Sequence, residues 1–242
     1  MRILGIECAT AVCAAAIADD DVLLAEHSIE TPRVHSEQLI SLIERSFKSI
    51  QSNIGSLDGI AVSIGPGSFT GLRIGLSSAK GLAYASGKGI IAVPTLEGLA
   101  FNIIRQNLVL PGDVIVPMID ARRDELYAAV YINAAGNLEE IIPPCALSVN
   151  ESLNITKTFK KVVVTGDGAE KFQKYIQKVE PEQSSRYIIP APKLIKCTAG
   201  AIALVGARKF AGGQQSDLAK LEPLYIKEFH TTANTQNKKA AT

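Results

Sequence analysis

Apolar positions at the start of the chain come in short runs broken by small or acidic residues. Ile3, Leu4 and Ile6 lead into Glu7, residues 14–18 form a second run, and Val22 to Ile29 forms a third after the turn Asp19-Asp20-Asp21. Runs of this length with turn residues between them predict three strands joined as a meander. The period then changes. Leu39, Leu42, Ile43, Phe47 and Ile50 recur at helical intervals, which predicts an amphipathic helix over 35–52, ended by Asn53-Ile54-Gly55. A strand over 59–64 follows and enters the turn Gly65-Pro66-Gly67. Beyond it a helix is expected over 68–86, stopped by the glycines at 87 and 89. A strand over 90–93 and a helix from Pro94-Thr95 to about Gln106 complete this half.

Pro111-Gly112-Asp113 reads as a lobe boundary, which divides the chain into 1–110 and 111–230. Past it the opening pattern recurs loosely. Strands are expected over 114–120, 125–132 and 138–142. A strand over 161–165 runs into Gly166-Asp167-Gly168-Ala169 and a helix to about Lys178. An alanine-rich helix is expected over 197–210 and a short strand over 221–226. Residues 148–158 and 181–192 have poor periodicity. Residues 231–242 are polar without apolar period, which predicts a disordered tail. Each half is therefore a strand meander followed by alternating helices and strands, a pseudo-repeated α/β arrangement.

Composition narrows the function classes. The chain has 242 residues, 47% hydrophobic and 20% charged, with a formal net charge of +1. A balanced charge offers no case for a surface that coats nucleic acid. No apolar run approaches the roughly 20 residues that cross a bilayer, and Glu7 comes too early for a signal peptide, so a cytoplasmic protein without membrane contact is expected. Cys8, Cys13, Cys145 and Cys197 form no Cys-x-x-Cys pair and have no histidines at zinc-finger spacing. They read as buried thiols in a reducing compartment.

The richest segment is Gly65-Pro66-Gly67-Ser68-Phe69-Thr70-Gly71-Leu72-Arg73-Ile74-Gly75. A strand-to-helix junction exposes backbone N–H groups where an anion can sit. A phosphate loop would need a lysine after Gly71, and Lys80 lies more than two turns further on, so that reading fails. Ser68 is either a plain helix cap or part of a bare anion site. Gly71, Gly75 and Ala79 recur at i, i+4 and i+8. That stripe admits another backbone, either a partner's helix or the protein's own sheet. Glu7 and Asp120 each end the first strand of a lobe, where carboxylates can organise Mg²⁺ or act as bases. The three histidines, His27, His35 and His230, are far apart, and no Gly-x-Ser-x-Gly elbow is present.

Gly65 to Gly75 resembles the hallmark of the TsaB/YeaZ-type proteins. Residues 6–10, His35-Ser36-Glu37, Ile119-Asp120-Ala121-Arg122, Gly166-Asp167-Gly168-Ala169 and Pro223-Leu224-Tyr225 fall in that family's order. The resemblance implies a two-lobed actin/Hsp70/acetate-kinase-like (ASKHA) fold. It also implies a role in making N6-threonylcarbamoyladenosine at position 37 of tRNAs that read ANN codons. In that setting a TsaD-type subunit carries the catalytic metal and a TsaE-type ATPase joins the complex. The TsaB-type subunit is a non-catalytic scaffold, ATP and Mg²⁺ are used by the complex, and tRNA is met only through it. The catalytic relative has a His-x-Glu-Gly-His motif; the matching stretch here is Thr95-Leu96-Glu97-Gly98-Leu99, without either histidine.

On this reading His35, Leu39, Leu42, Phe69, Gly71, Leu72, Gly75, Leu76 and Ala79 are expected at the partner interface. Glu7, Thr10, Asp120, Gly166, Asp167 and Gly168 are expected at a vestigial nucleotide site; the family usually has Asp where Glu7 stands. A homodimer of the free chain is a further expectation. The competing readings are an independent ATP-dependent small-molecule kinase of the same fold and, behind it, a glycoprotease-like peptidase.

Overall fold

The computed structural model describes residues 1–30 and 35–227. The meander forms as the apolar runs predict: β1 (Arg2–Glu7), β2 (Cys13–Asp19) and β3 (Val22–Ile29) pair antiparallel in succession. Helix α1 (His35–Ser49) crosses to β4 (Gly59–Gly65), which pairs parallel with β1. Helix α2 (Phe69–Ser86) crosses to β5 (Gly89–Pro94), parallel with β4, and α3 (Thr95–Arg105) follows.

The second half repeats the plan. β6 (Val114–Asp120), β7 (Glu125–Ala134) and β8 (Asn137–Ser148) form its meander. Then come α4 (Val149–Thr156), β9 (Val162–Thr165), α5 (Ala169–Val179), β10 (Tyr187–Ile188) and α6 (Ala199–Ala211). The first sheet runs β3-β2-β1-β4-β5 and the second β8-β7-β6-β9-β10, the same order traced by five later strands. Two such units make the α/β two-lobed actin/Hsp70-like fold that the resemblance implies.

The layers explain the alanines. β2 is buried on both faces, with Ala14, Ala16 and Ala18 against α6 and Cys13, Ala15 and Ile17 against α1. Small residues on a central strand let helices close on both sides of it. α1 and α2 cover the outer face of the first sheet, and α4 and α5 cover the outer face of the second. α3 and α6 fill the space between the sheets in one shared core, which joins Ile3 and Ala61 of the first sheet to Ile115, Ile119 and Val163 of the second.

Two helices cross the division expected at residues 110 and 111. α6 packs on β1, β2 and β4 of the first sheet, and α3 packs on β6, β7 and β8 of the second. Each lobe thus takes its inner helix from the other half of the chain. The strand expected over 221–226 is absent; Leu224 N–H donates to the Ile64 carbonyl at 2.7 Å and Lys80 Nζ to the Leu221 carbonyl at 2.9 Å, so the segment is held by the end of β4 and by α2 instead. α4 and β10 arise where periodicity is poor. α4 starts at a capping box, with Ser148 Oγ accepting from Glu151 N–H at 3.1 Å and the Glu151 carboxylate accepting from Ser148 N–H at 2.8 Å. β8 extends through Pro143 and Pro144 because it is an edge strand and the two prolines fall in a bulge between the pairs Val130–Ile142 and Ala128–Cys145, where no ladder N–H is needed. The expected tail at 231–242 lies outside the described residues, as does His230.

Candidate functional site

The Gly65-to-Gly75 junction is built against the β1–β2 loop. The Gly65–Pro66 peptide is cis. Ser68 N–H donates to the Ala9 carbonyl at 2.7 Å, and Ser68 Oγ accepts from Gly71 N–H at 3.3 Å as the cap of α2. A β-carbon on Gly67 would stand 2.2 Å from the Ala9 carbonyl oxygen, and one on Gly71 only 2.0 Å from that of Cys8. On Gly75 it would meet the Cys8 β-carbon at 3.2 Å. The glycines are needed so that two backbones can touch, and the second backbone is the protein's own.

The inward stripe therefore packs on the protein's own first sheet. Gly71, Gly75 and Ala79 face the first sheet, and Leu72 and Leu76 are buried with them. Leu39 and Leu42 of α1 join Leu4, Ile6 and Val62 in the same core. Phe69 stays at the surface. The Arg73 guanidinium lies 3.7 Å over its ring, and the Tyr225 ring is 5.6 Å away. His35 opens α1, and its side chain lies outside what is described.

The other face of α2 is open. Thr70, Arg73, Ser77, Gly81, Tyr84 and Ala85 are exposed. Ser77, Gly81 and Ala85 make a second stripe of small residues at i, i+4 and i+8. A β-carbon on Gly81 would meet nothing within 4 Å. Tyr84 is 82% exposed, and on α1 Ile40 is 47% exposed. A glycine inside a helix costs about 1 kcal/mol against alanine, and nothing among the described residues packs against position 81 to offset that cost. Sequence reasoning missed these residues, although the spacing that marks them is the spacing that marks Gly71, Gly75 and Ala79.

The expected nucleotide site opens on the cleft between the lobes. Thr10, Asp120 and Asp167 line a cavity of about 910 Å³. A neighbouring cavity of about 510 Å³ has apolar walls that include Leu99, Ile119 and Ile195. Glu7 does not reach either. It is fully buried, and its carboxyl accepts from Thr10 N–H at 2.9 Å, Thr10 Oγ1 at 3.1 Å and the Cys197 thiol at 3.4 Å. Burial pushes this carboxyl up, against the pull of Ser63, Cys197 and Thr10 beside it.

Asp120 is ion-paired with Lys171 and accepts from Arg122 N–H at 2.8 Å, while its own N–H donates to Asp167 Oδ1 at 3.0 Å. Burial pushes Asp167 up. Gly166 has φ +90°, and a β-carbon there would stand 2.1 Å from the Met118 carbonyl oxygen; on Gly168 it would stand 2.8 Å from Leu126. These glycines seat the turn on β6 and β7. The acids expected at the vestigial nucleotide site are thus one buried group, one lysine-paired group and one hydrogen-bonded into the turn. They do not fit a Mg²⁺–nucleotide, and no three His, Cys, Asp or Glu side chains converge to hold a metal among the described residues. Thr95 and Leu99 are core residues; Thr95 Oγ1 accepts from Gly65 N–H at 3.1 Å, and Glu97 pairs with Lys209 at 2.9 Å.

The buried Glu7 makes a pH test. Its pKa is raised on folding, so the folded state holds the proton more tightly than the unfolded chain. Stability from this group is full below the ordinary value of 4.5 and is lost as pH rises through the folded value. Glu7→Gln cannot ionise. Urea titrations should show the variant gaining on the native protein from pH 4.5 upward, and a constant difference at all pH would refute the assignment.

A family model described as "TsaD: tRNA N6-adenosine threonylcarbamoyltransferase" matches residues 27–193. The tRNA threonylcarbamoyladenosine biosynthesis protein TsaB of Escherichia coli K12 is 34% identical over 131 residues, 54% of this chain and 55% of that protein. The protein of the same name from Bacillus subtilis 168 is 31% identical over 157 residues, 65% of this chain and 66% of that protein. The matched stretches thus span somewhat over half to just under two thirds of these relatives. The solved structure of YeaZ from Pseudomonas aeruginosa superposes with a TM-score of 0.77 at 22% identity, over 93% of this chain and 99% of that one, a likeness of fold. No helix among the described residues is long and apolar enough to cross a membrane.

Proposed function

Because the chain belongs to the tRNA N6-adenosine threonylcarbamoyltransferase family, as a TsaB/YeaZ-type member of it, we propose that it is a non-catalytic subunit in the synthesis of threonylcarbamoyladenosine at position 37 of ANN-reading tRNAs. It docks a TsaD-type catalytic subunit through the outward face of α1 and α2. The observation that carries this reading is the Ser77-Gly81-Ala85 stripe beside the exposed ring of Tyr84. A small-residue stripe admits a second helix closely, and an exposed aromatic beside it is the residue type that anchors interfaces.

Two further features favour a supporting role. The carboxylates at the strand ends are engaged in the protein's own structure, which supports the use of ATP and Mg²⁺ by the complex and not by this chain. Leu99 stands where the catalytic relative has a metal-binding histidine, and a leucine offers no ligand. A TsaE-type ATPase joins the assembled pair, tRNA is met only through the complex, and the free chain pairs with itself through the same face.

Size-exclusion of this protein mixed with a TsaD-type subunit tests the reading. One earlier-eluting species with both chains is expected, and separate elution at micromolar concentrations would sink it. Tyr84→Ala should weaken the pair by about tenfold or more, the scale of an interface anchor, with an unchanged melting temperature. The purified chain alone should show no Mg²⁺-dependent ATP turnover.

A further inference from the structure

Cys8 and Cys13 stand at the two ends of the loop that closes the β1–β2 hairpin. The strands pair with Glu7 opposite Ala14, so the next positions outward are Cys8 and Cys13. Their sulfurs lie 3.5 Å apart, one thiol donating to the other. Facing side chains on antiparallel strands have β-carbons about 4.5–5.5 Å apart, and a disulfide takes about 3.5–4.5 Å. A small inward movement therefore suffices to join them. The other two cysteines differ. Cys197 donates to Glu7, and burial pushes its thiol well up; Cys145 donates to the Ala128 carbonyl.

The place is also distinctive. Residues 9–12 are the whole span between the two thiols, and Thr10 and Ala11 line both cavities of the cleft. The Cys8 carbonyl and β-carbon form the seat of Gly71 and Gly75. A packing role alone asks only for a small apolar residue, which this hairpin otherwise supplies as Ala14, Ala15 and Ala16. The hydrogen bond between the two thiols holds Cys13 below the usual thiol range and Cys8 above it.

We propose that Cys8 and Cys13 are an oxidisable pair that a hydroperoxide closes to an intramolecular disulfide. The Cys13 thiolate attacks the terminal peroxide oxygen; the O–O bond breaks, the alkoxide leaves as the alcohol with a proton, and Cys13 becomes a sulfenic acid. Cys8 then attacks Cys13 Sγ. The S–S bond forms, the S–O bond breaks, and hydroxide leaves with the Cys8 proton as water. The two sulfurs together lose two electrons and the peroxide gains two. Both sulfurs are buried, so the reaction runs through opening of the 8–13 loop on its cleft side. The bond then ties down the cleft wall and the seat of α2 together.

Exposure of the folded protein to hydrogen peroxide, followed by acid quench, denaturation, iodoacetamide and trypsin, tests this. The peptide 3–33 carries both cysteines with no internal Lys or Arg. It is expected to lose the mass of two hydrogens and to refuse iodoacetamide until reduced, while Cys145 and Cys197 still alkylate. Cys8→Ser should leave Cys13 as a sulfenic acid trapped by dimedone, and Cys13→Ser should leave Cys8 alkylatable. Alkylation of both cysteines in the fully treated native protein would overturn the proposal, as would sulfinic acids without a disulfide. These readouts concern the native chain alone and are independent of docking.

Discussion

Gly71→Ala is expected to destabilise the protein by about 3 kcal/mol, at the upper end of what one added methyl does in a packed core. The methyl would stand 2.0 Å from the Cys8 carbonyl oxygen. That oxygen belongs to backbone, so no side-chain rotation relieves the clash. Either the β1–β2 loop or the first turn of α2 must move, and the Ser68 N–H bond to Ala9 ties those two together. Urea midpoints measure the effect, with Gly81→Ala as the control on the same helix. The control has open space and should gain about 0.5–1 kcal/mol from helix propensity. Equal midpoints for Gly71→Ala and the native protein would mean that the loop does not seat on α2 as described.

Gly81→Trp is expected to abolish co-elution with a TsaD-type subunit, a loss of at least about a hundredfold, or roughly 2.7 kcal/mol, while the melting temperature stays near native. An indole on the outward stripe holds a docking helix away without touching this chain's core, because position 81 faces open space. The same substitution at Gly75 would carry no such information. It would drive an indole into Cys8 and Ile6, so lost binding would report lost folding. Co-elution of a folded Gly81→Trp variant at native affinity would remove the outward face of α2 as the docking surface.

Glycine spacing was legible in the sequence, but its direction was not. α2 carries small residues nearly all round: Gly71, Gly75 and Ala79 on one side, Ser77, Gly81 and Ala85 on the other. With weak amphipathicity no periodicity decides which stripe turns inward. The β1–β2 loop decides it, because its backbone occupies the space beside positions 71 and 75. The acids were legible in the same limited way. Glu7 and Asp120 end equivalent strands as expected. Burial around Cys197 and Thr10 then turns Glu7 inward, and Lys171, from a helix about fifty positions away, pairs with Asp120.

The duplicated meander was visible because strand period and turn residues act within a few residues of one another. That local physics fixes nearly every element, and even α4 carried a local sign in Ser148 and Glu151. Membership in the family also rested on local pattern, through the residues from Gly65 to Gly75. What only the tertiary structure decided are relations between distant segments. α6 returns to the first sheet and α3 leans on the second, residues 221–226 are held by β4 and α2 without forming a strand, and Cys8 seats Gly71 and Gly75. Such contacts depend on which buried surfaces fit together once both sheets exist, and no period along the chain encodes that fit.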